Sequence, residues 1–581
     1  MSFLKNNSNR KILFSLGKNY LIILIFFIIF FYFLNSLLFS RNIFSNHILL
    51  LFTEASQLLR GDLPYKEINI LYGIGQPLVN AFSLFIFGKN VFSIFLISNI
   101  FYFLSILFIL LISFKLKFKF VDSFFLILIL INIYPVLELP WSTFLSYFPI
   151  VLSLFLVLKK TKFNYFFSGF FLIIACLIRE TAILSAVIIF LYIFFESVFK
   201  ERNFNILRFY LFGFFIPLAI FVIYLFISSN YLIWKELVYT LYQWQSLINI
   251  GYYIKTDISP LRKFYIFFLA PYRELFLVFL DSIKYFWVNW ILIYTSYSVC
   301  LLFFFKRVIK NKQWREDELI KYRTSVIAVY SLSLIIQNMH LVSISRVAAG
   351  SILGVIILFY LFNRIIQNNR IRFIIYTVVL ILLFFNSHGV YIESKNKEGR
   401  LDKLYNLFII NIKNNYQFFF GVNKNDFLDK KFLITEFQNM NYNQTTYKFY
   451  NNVKDVCKKL KINESIKYSD NQTFFWELPY FCEIKPKYYY VLTLTDFIEE
   501  SFKKSSISKN YDSDNKNTIS FYVSDAPNLT ETMYFDINGY TRKRKVKNLE
   551  ILYRADLKKD YPELFESYGV RYFFITRNYK I

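Results

Sequence analysis

The sequence predicts an all-α polytopic membrane domain of about eleven spans, residues 1–389, followed by a soluble α/β or α+β extracytoplasmic domain, residues 390–581. Three observations predict it. The chain of 581 residues is 56% hydrophobic, 22% aromatic and only 18% charged, more apolar surface than one water-soluble core can bury. Up to about residue 389, long apolar runs alternate with short basic clusters. Beyond it hydrophobicity falls, and short strand-like runs alternate with helical stretches.

A spanning helix needs roughly 20 apolar residues. Runs of this kind centre on 20–39, 91–114, 121–137, 141–158, 163–178, 181–195, 209–227, 285–305, 325–339, 348–362 and 371–387. The first has no small-residue cleavage site, so it reads as a span and not as a cleavable signal. Lys and Arg are retained inside, and with the basic N-terminus (Lys5, Arg10, Lys11, Lys18) cytoplasmic, alternate loops prove basic. These carry Lys115/Lys117/Lys119, Lys159/Lys160/Lys162, Lys200/Arg202, the stretch 306–323, and Arg364/Arg370/Arg372. Everything after His388 is then outside, which makes this an inner-membrane protein with a periplasmic C-terminal domain.

Two apolar segments fail as spans. The run Gly75 to Phe87 is about a dozen residues, and counting it would export Lys115, Lys117 and Lys119; it is expected along the outer surface. The stretch Leu261 to Leu280, interrupted by Arg262, Lys263, Arg273 and Glu274, is expected at the outer interface. A net charge of +27 is compatible with nucleic acid, but the basic residues lie in clusters between spans and not on one polar face. The partners it fits are anionic lipid headgroups and lipid phosphates, with no nucleic acid.

The first outer loop is the most informative segment. At 100° per residue, Asn46, Thr53, Gln57 and Arg60 share a face with His47 and Glu54 beside them, while Ile48, Leu51, Phe52, Ala55 and Leu59 face away. That describes an interfacial helix with a wet polar face. Gly61 ends it, and Pro64 fixes the following turn.

The order amphipathic helix, then "GDLPYKE", then a Gly/Pro segment ending in "LFG", resembles the first outer loop of GT-C glycosyltransferases, such as protein mannosyltransferases and lipid A aminoarabinose transferases. The matching residues are Gly61, Pro64, Tyr65 and Glu67, with Glu where the family more often has Asp; Asn46 and His47 stand where it often has a helix-opening Asp. The resemblance covers about the first 120 residues. It implies sugar transfer, hexosyl or pentosyl, from a polyprenyl-phosphate donor to a cell-envelope acceptor (glycan, lipid or protein). Such chemistry needs a carboxylate to accept the acceptor's proton and cations to hold the leaving phosphate. Glu67 is the candidate base, with Glu54 and His47 orienting the acceptor or sharing the role, and Tyr65 contacting substrate. Arg346, with His340 in the same loop, is placed for the phosphate. Arg262, Lys263 and Arg179 are further outer-face cations; Arg179 beside Glu180 also reads as a tight turn with a local ion pair. An O-antigen polymerase or ligase, or a transporter or scaffold, is the alternative. A transporter would be expected to place paired charges at mid-membrane, and these spans are nearly uncharged.

Three histidines (His47, His340, His388) without ligand spacing, and no Cys-x-x-Cys, specify no zinc. Glu54, Asp62 and Glu67 could hold magnesium or manganese through oxygen ligands. No phosphate-cradling glycine loop appears. Cys176 and Cys300 fall in spans, whereas Cys457 and Cys482 fall in the exported part and are expected to form a disulfide.

Overall fold

The computed structural model describes residues 46–65, 70, 73–89, 91–133, 141–228, 270–308, 318–338 and 344–393, with 455–456, 458–459, 466–468, 519–524, 532–535, 541–544, 549–560, 562 and 572–578 of the C-terminal part. The expected first span, the candidate base Glu67, and Arg262, Lys263, His340, Cys457 and Cys482 lie outside the described residues.

The described N-terminal part is built of helices. Its elements are α1 (Asn46–Leu59), α2 (Gly75–Phe87), α3 (Val91–Lys115), α4 (Phe120–Ile133), α5 (Ser142–Leu145), α6 (Tyr147–Val157), α7 (Lys162–Ile178), α8 (Ala182–Phe195, extended by a π turn to Lys200), α9 (Phe204–Ile227), α10 (Ala270–Val308), α11 (Glu318–Asn338), α12 (Ile344–Gly350), α13 (Ile352–Ile365) and α14 (Asn369–Glu393). Among the described residues, five helical segments are long and apolar enough to cross a membrane: Ser93–Lys115, Ala182–Lys200, Phe204–Ile227, Trp287–Phe305 and Glu318–Gln337. Shorter apolar helices include α2, α4, α7 and α13. At 13 residues α2 is about 20 Å long, short of a roughly 30 Å hydrocarbon layer, in keeping with its expected exclusion from the spans.

The outer-interface segment ending at Leu280 and the span beginning at Tyr285 fall in one helical run, Ala270–Val308, of which Trp287–Phe305 is long and apolar enough to cross a membrane. It nevertheless bends between them. The Phe279 ring lies 5.5 Å from the rings of both Trp290 and Tyr294, whereas a straight helix would hold residues 279 and 294 about 22 Å apart.

The basic turns converge on one end of the bundle. Lys119 donates to Asn369, Arg323 donates to the Lys115 carbonyl, Lys160 pairs with Glu201, and buried Asp122 pairs with Arg372 at 3.4 Å. Three of these tight turns place a basic residue at positive φ: Lys117 (62°), Lys160 (55°) and Arg202 (50°).

Between the ends, α11 supplies a buried polar edge. Tyr322 meets Tyr165 (2.7 Å), Tyr330 meets Ser153 (2.9 Å), and Ser185 donates to the Ser333 carbonyl (2.9 Å) and to Gln337 (3.1 Å). Helices in lipid gain nothing from burying apolar surface against each other, so such bonds and close backbone contacts hold them together. Gly213 of α9 and Gly169 of α7 provide the close contact: a Cβ at either would overlap a backbone carbonyl of the other helix, Phe166 or Tyr210.

In the C-terminal part, β1 (Ile466–Tyr468), β2 (Ile519–Ser524), β6 (Tyr572–Asn578) and β5 (Leu549–Asp556) form a sheet in the order β1-β2-β6-β5. β1 and β2 are parallel and the other pairs antiparallel. β3 (Thr532–Phe535) and β4 (Thr541–Arg544) make a separate antiparallel pair, and a short α15 (Leu557–Asp560) follows β5. Two of the runs read as strands from the sequence, "ISFYVSD" and "VRYFFIT", supply β2 and β6.

Candidate functional site

The first loop is folded into the bundle at the end opposite the basic turns. Leu51 and Ala55 of α1 pack with Ala81 and Leu84 of α2 and Ile94 of α3, which is the apolar face expected for α1. Its other face departs from expectation. Glu54 and Gln57 are each only 1% exposed, so at these two residues α1 meets protein and not water or headgroups, whereas Arg60 on the same side is exposed. Sequence periodicity separates two faces but cannot say whether the polar one finds a polar protein partner.

Gly61 ends α1 as expected, at φ +94°, where L side chains are strained. Asp62 turns to Arg60 at 2.9 Å and its backbone N–H bonds the Gln57 carbonyl. This ion pair engages one of the three carboxylates expected to offer oxygen ligands, and among the described residues no three His, Cys, Asp or Glu side chains gather at one point.

Tyr65 is the pivot of the loop. It is 2% exposed and holds φ at 60°, an unusual conformation for a bulky residue. Its ring packs edge-on to Phe221, and Tyr224 donates to the preceding carbonyl, that of Pro64, at 2.7 Å. Burial raises the Tyr65 hydroxyl well above its ordinary value of 10, and the charges of Glu180 and Glu54 raise it further. Tyr65 is therefore a neutral hydroxyl flanked by two carboxyl groups.

Two glycines bring Glu180 to this place. The loop "GIG" lies directly on the C-terminal end of α7: a Cβ at Gly73 would overlap the Leu177 carbonyl, and one at Gly75 would stand 2.8 Å from Ile178 Cγ1. α7 ends there, and Arg179 and Glu180 form the turn into α8. Arg179, 3% exposed, donates to Ser142 Oγ of α5 at 3.1 Å. Gln337 donates to Ser146 nearby on the same chain segment and accepts from Ser185, tying α11 to this end. Glu180 keeps part of its surface open, yet burial lifts its carboxyl from the ordinary 4.5 to about 7, with Arg179 pulling in the opposite direction.

On α1, α2 and this turn, respectively, Ser56 Oγ, both amide atoms of Asn80, and Thr181 Oγ1 are buried and make no hydrogen bond. Such groups are uncommon in native folds and mark places where a polar ligand or water completes the set.

The structure thus joins Glu54, Tyr65 and Arg179 and adds Glu180, which the sequence reading had left as Arg179's partner in a turn. A usable signal was present, since an Arg-Glu pair between two apolar runs sits opposite a Gly-x-Gly loop in a glycine-poor chain. His47 lies in the first turn of α1 and Arg346 in α12, where Tyr297 donates to the adjacent Val347 carbonyl at 3.2 Å; their side chains lie outside the described set. The remaining expected site residues lie outside the described residues. Cys176 and Cys300 are buried free thiols, as expected.

No family model matches the chain, and no curated protein matches it. Solved structures show distant likenesses at 10% identity. ArnT from Cupriavidus metallidurans is similar at 10% identity and a TM-score of 0.46, in its apo state over 87% of this chain and 93% of that one. Its structure bound to undecaprenyl phosphate is similar over 86% and 93%, with the same identity and TM-score. The archaeal oligosaccharyltransferase AglB from Archaeoglobus fulgidus, in complex with an inhibitory peptide and a dolichol-phosphate, is similar at 10% identity and a TM-score of 0.40, over 84% of this chain and 69% of that one.

Proposed function

We propose that this protein is a GT-C-type glycosyltransferase that moves a hexosyl or pentosyl group from a polyprenyl-phosphate donor to an envelope acceptor at the outer face of the inner membrane. The observation that carries the reading is the convergence of Glu54, Tyr65, Arg179 and Glu180 where the first loop meets the α7–α8 turn. Glycosyl transfer to a hydroxyl needs a proton acceptor titrating near the working pH and a cation beside the departing phosphate. Glu180, partly open and titrating near 7, has the first property, and Arg179 supplies the second.

Glu180 takes the acceptor proton as the acceptor oxygen attacks the anomeric carbon and the phosphate leaves with the bonding electrons. Arg179, helped by Arg346, stabilises that phosphate. Glu54 and the neutral Tyr65 hydroxyl orient the acceptor. Glu67, the base implied by the sequence match, belongs to the same loop and is the competing candidate. If magnesium or manganese takes part, Glu54, Asp62 and Glu67 are the carboxylates that could offer it oxygen ligands, and it would supply Lewis-acid stabilisation of the phosphate.

The test is transfer of radiolabelled sugar in membranes carrying the protein, with and without polyprenyl-phosphate donors. Donor-dependent labelling that Glu180→Gln abolishes supports the reading. Labelling lost in Glu67→Gln but retained in Glu180→Gln moves the base to Glu67. No donor-dependent labelling by the wild type sinks the proposal.

A further inference from the structure

At the opposite end of the bundle three cations from separate parts of the chain lie together, with no acidic partner among the described residues. Lys115 closes α3, Lys159 follows α6, and Arg323 stands near the start of α11. Lys115 is within electrostatic reach of both others. Its ammonium donates to the Phe155 carbonyl at 3.0 Å and sits 4.1 Å from the Phe155 ring centre, and Lys159 sits 5.0 Å from the same ring. Arg323 donates through one terminal nitrogen to the Lys115 carbonyl at 2.7 Å, while its Nε is buried without a hydrogen-bond partner.

The surrounding cations are matched differently. Lys160 pairs with Glu201, Lys321 with Glu318, and Arg372 with Asp122. Lys115, Lys159 and Arg323 pair with no carboxylate among the described residues. Carbonyls and a ring hold them in place, but neither neutralises their mutual repulsion at a low-dielectric boundary. A group with negative charge and several acceptor oxygens would do so, and the Arg323 Nε–H is a donor still to be used.

We propose that Lys115, Lys159 and Arg323 form a binding site for the phosphate of an anionic lipid headgroup in the leaflet at the basic-turn end of the bundle. The site is separate from the outer carboxylate cluster and does not depend on the function proposed for it. A lipid is favoured over a free anion because the cations cap spanning helices beside apolar surface, where a diacyl headgroup already resides.

The full-length protein is reconstituted in nanodiscs of phosphatidylcholine alone or with phosphatidylglycerol, and retained lipid is measured by native mass spectrometry alongside thermal unfolding. Wild type should retain phosphatidylglycerol and unfold at a higher temperature in its presence. Lys115→Gln, Lys159→Gln and Arg323→Gln should each weaken retention about fivefold, whereas Lys321→Gln should not. Should Arg323→Gln fail to fold, the exposed Lys159→Gln carries the test. Equal retention by wild type and the Lys115→Gln/Lys159→Gln double variant overturns the site. Protection by inorganic phosphate in neutral nanodiscs, with none from phosphatidylglycerol, overturns the lipid assignment.

Discussion

Gly73 rests against Leu177 so closely that the first loop and the end of α7 share one backbone contact, with no room for a side chain between them. Gly73→Ala should therefore force the loop off the α7–α8 turn. The overlap is with backbone and cannot be relieved by a rotamer change, so a loss of about 1 to 3 kcal/mol is expected. Thermal unfolding in detergent would register it, and sugar transfer should fall more steeply than stability because Tyr65 and Glu180 would separate. Unchanged transfer in Gly73→Ala would mean that this contact does not position the site.

Glu180 should impose a pH dependence on turnover. Only its ionised form accepts a proton, so rate should rise as pH passes upward through about 7 and level off above it. Glu180→Gln should lower turnover by about 100-fold to 10,000-fold and abolish that rise, with a smaller effect on donor binding. A profile in Glu180→Gln that still breaks near 7 would assign the break to another group.

The same shift has a stability consequence of definite sign. Because the folded protein disfavours the ionised carboxyl, Glu180 costs nothing below its ordinary 4.5 and penalises the fold increasingly as pH rises through about 7. Relative to wild type, Glu180→Gln should gain stability between pH 5 and pH 8. Its partial exposure limits the size of the gain. Parallel denaturation of the two proteins at the two pH values checks it.

Lys117 at φ 62° is exposed and strained. Lys117→Gly should remove about 1 to 2 kcal/mol of left-handed strain against about 0.5 to 1 kcal/mol of added unfolded-chain entropy, for a small net stabilisation. A lower melting temperature for the glycine variant would show that the lysine makes a compensating contact.

The two ends should differ in accessibility. Single cysteines at Lys117 and Lys159 should resist a membrane-impermeant thiol reagent added outside intact cells, and one at exposed Leu63 should react. The reverse pattern would invert the orientation inferred from loop charge.

How much of this was legible in the sequence varies with the type of interaction. Apolar runs and loop charge located the helices and grouped the basic turns, because lipid solvation and charge retention act on composition alone. The end of α1 at Gly61 was legible because positive φ strongly favours glycine. Burial of Glu54 and the meeting of Tyr65 with Glu180 were not, since they depend on the Gly73–Leu177 contact across more than one hundred residues of chain. Local periodicity describes a face without naming what covers it. The helical run through Asp281 to Lys284 escaped for a related reason: a polar interruption reads as a break, whereas the residues there are helical.

The hydrogen bond from Tyr224 to the Pro64 carbonyl gives α9 a mechanical role. This helix is mostly lipid-facing, is fixed near its middle by the Gly213–Gly169 contact, and touches the first loop at its far end. It packs on α7 along its length, from Ile206 to Leu225. A change in bilayer thickness would act on the tilt of such a peripheral helix, and its hydrogen bond to Pro64 ties that tilt to the backbone that carries Tyr65.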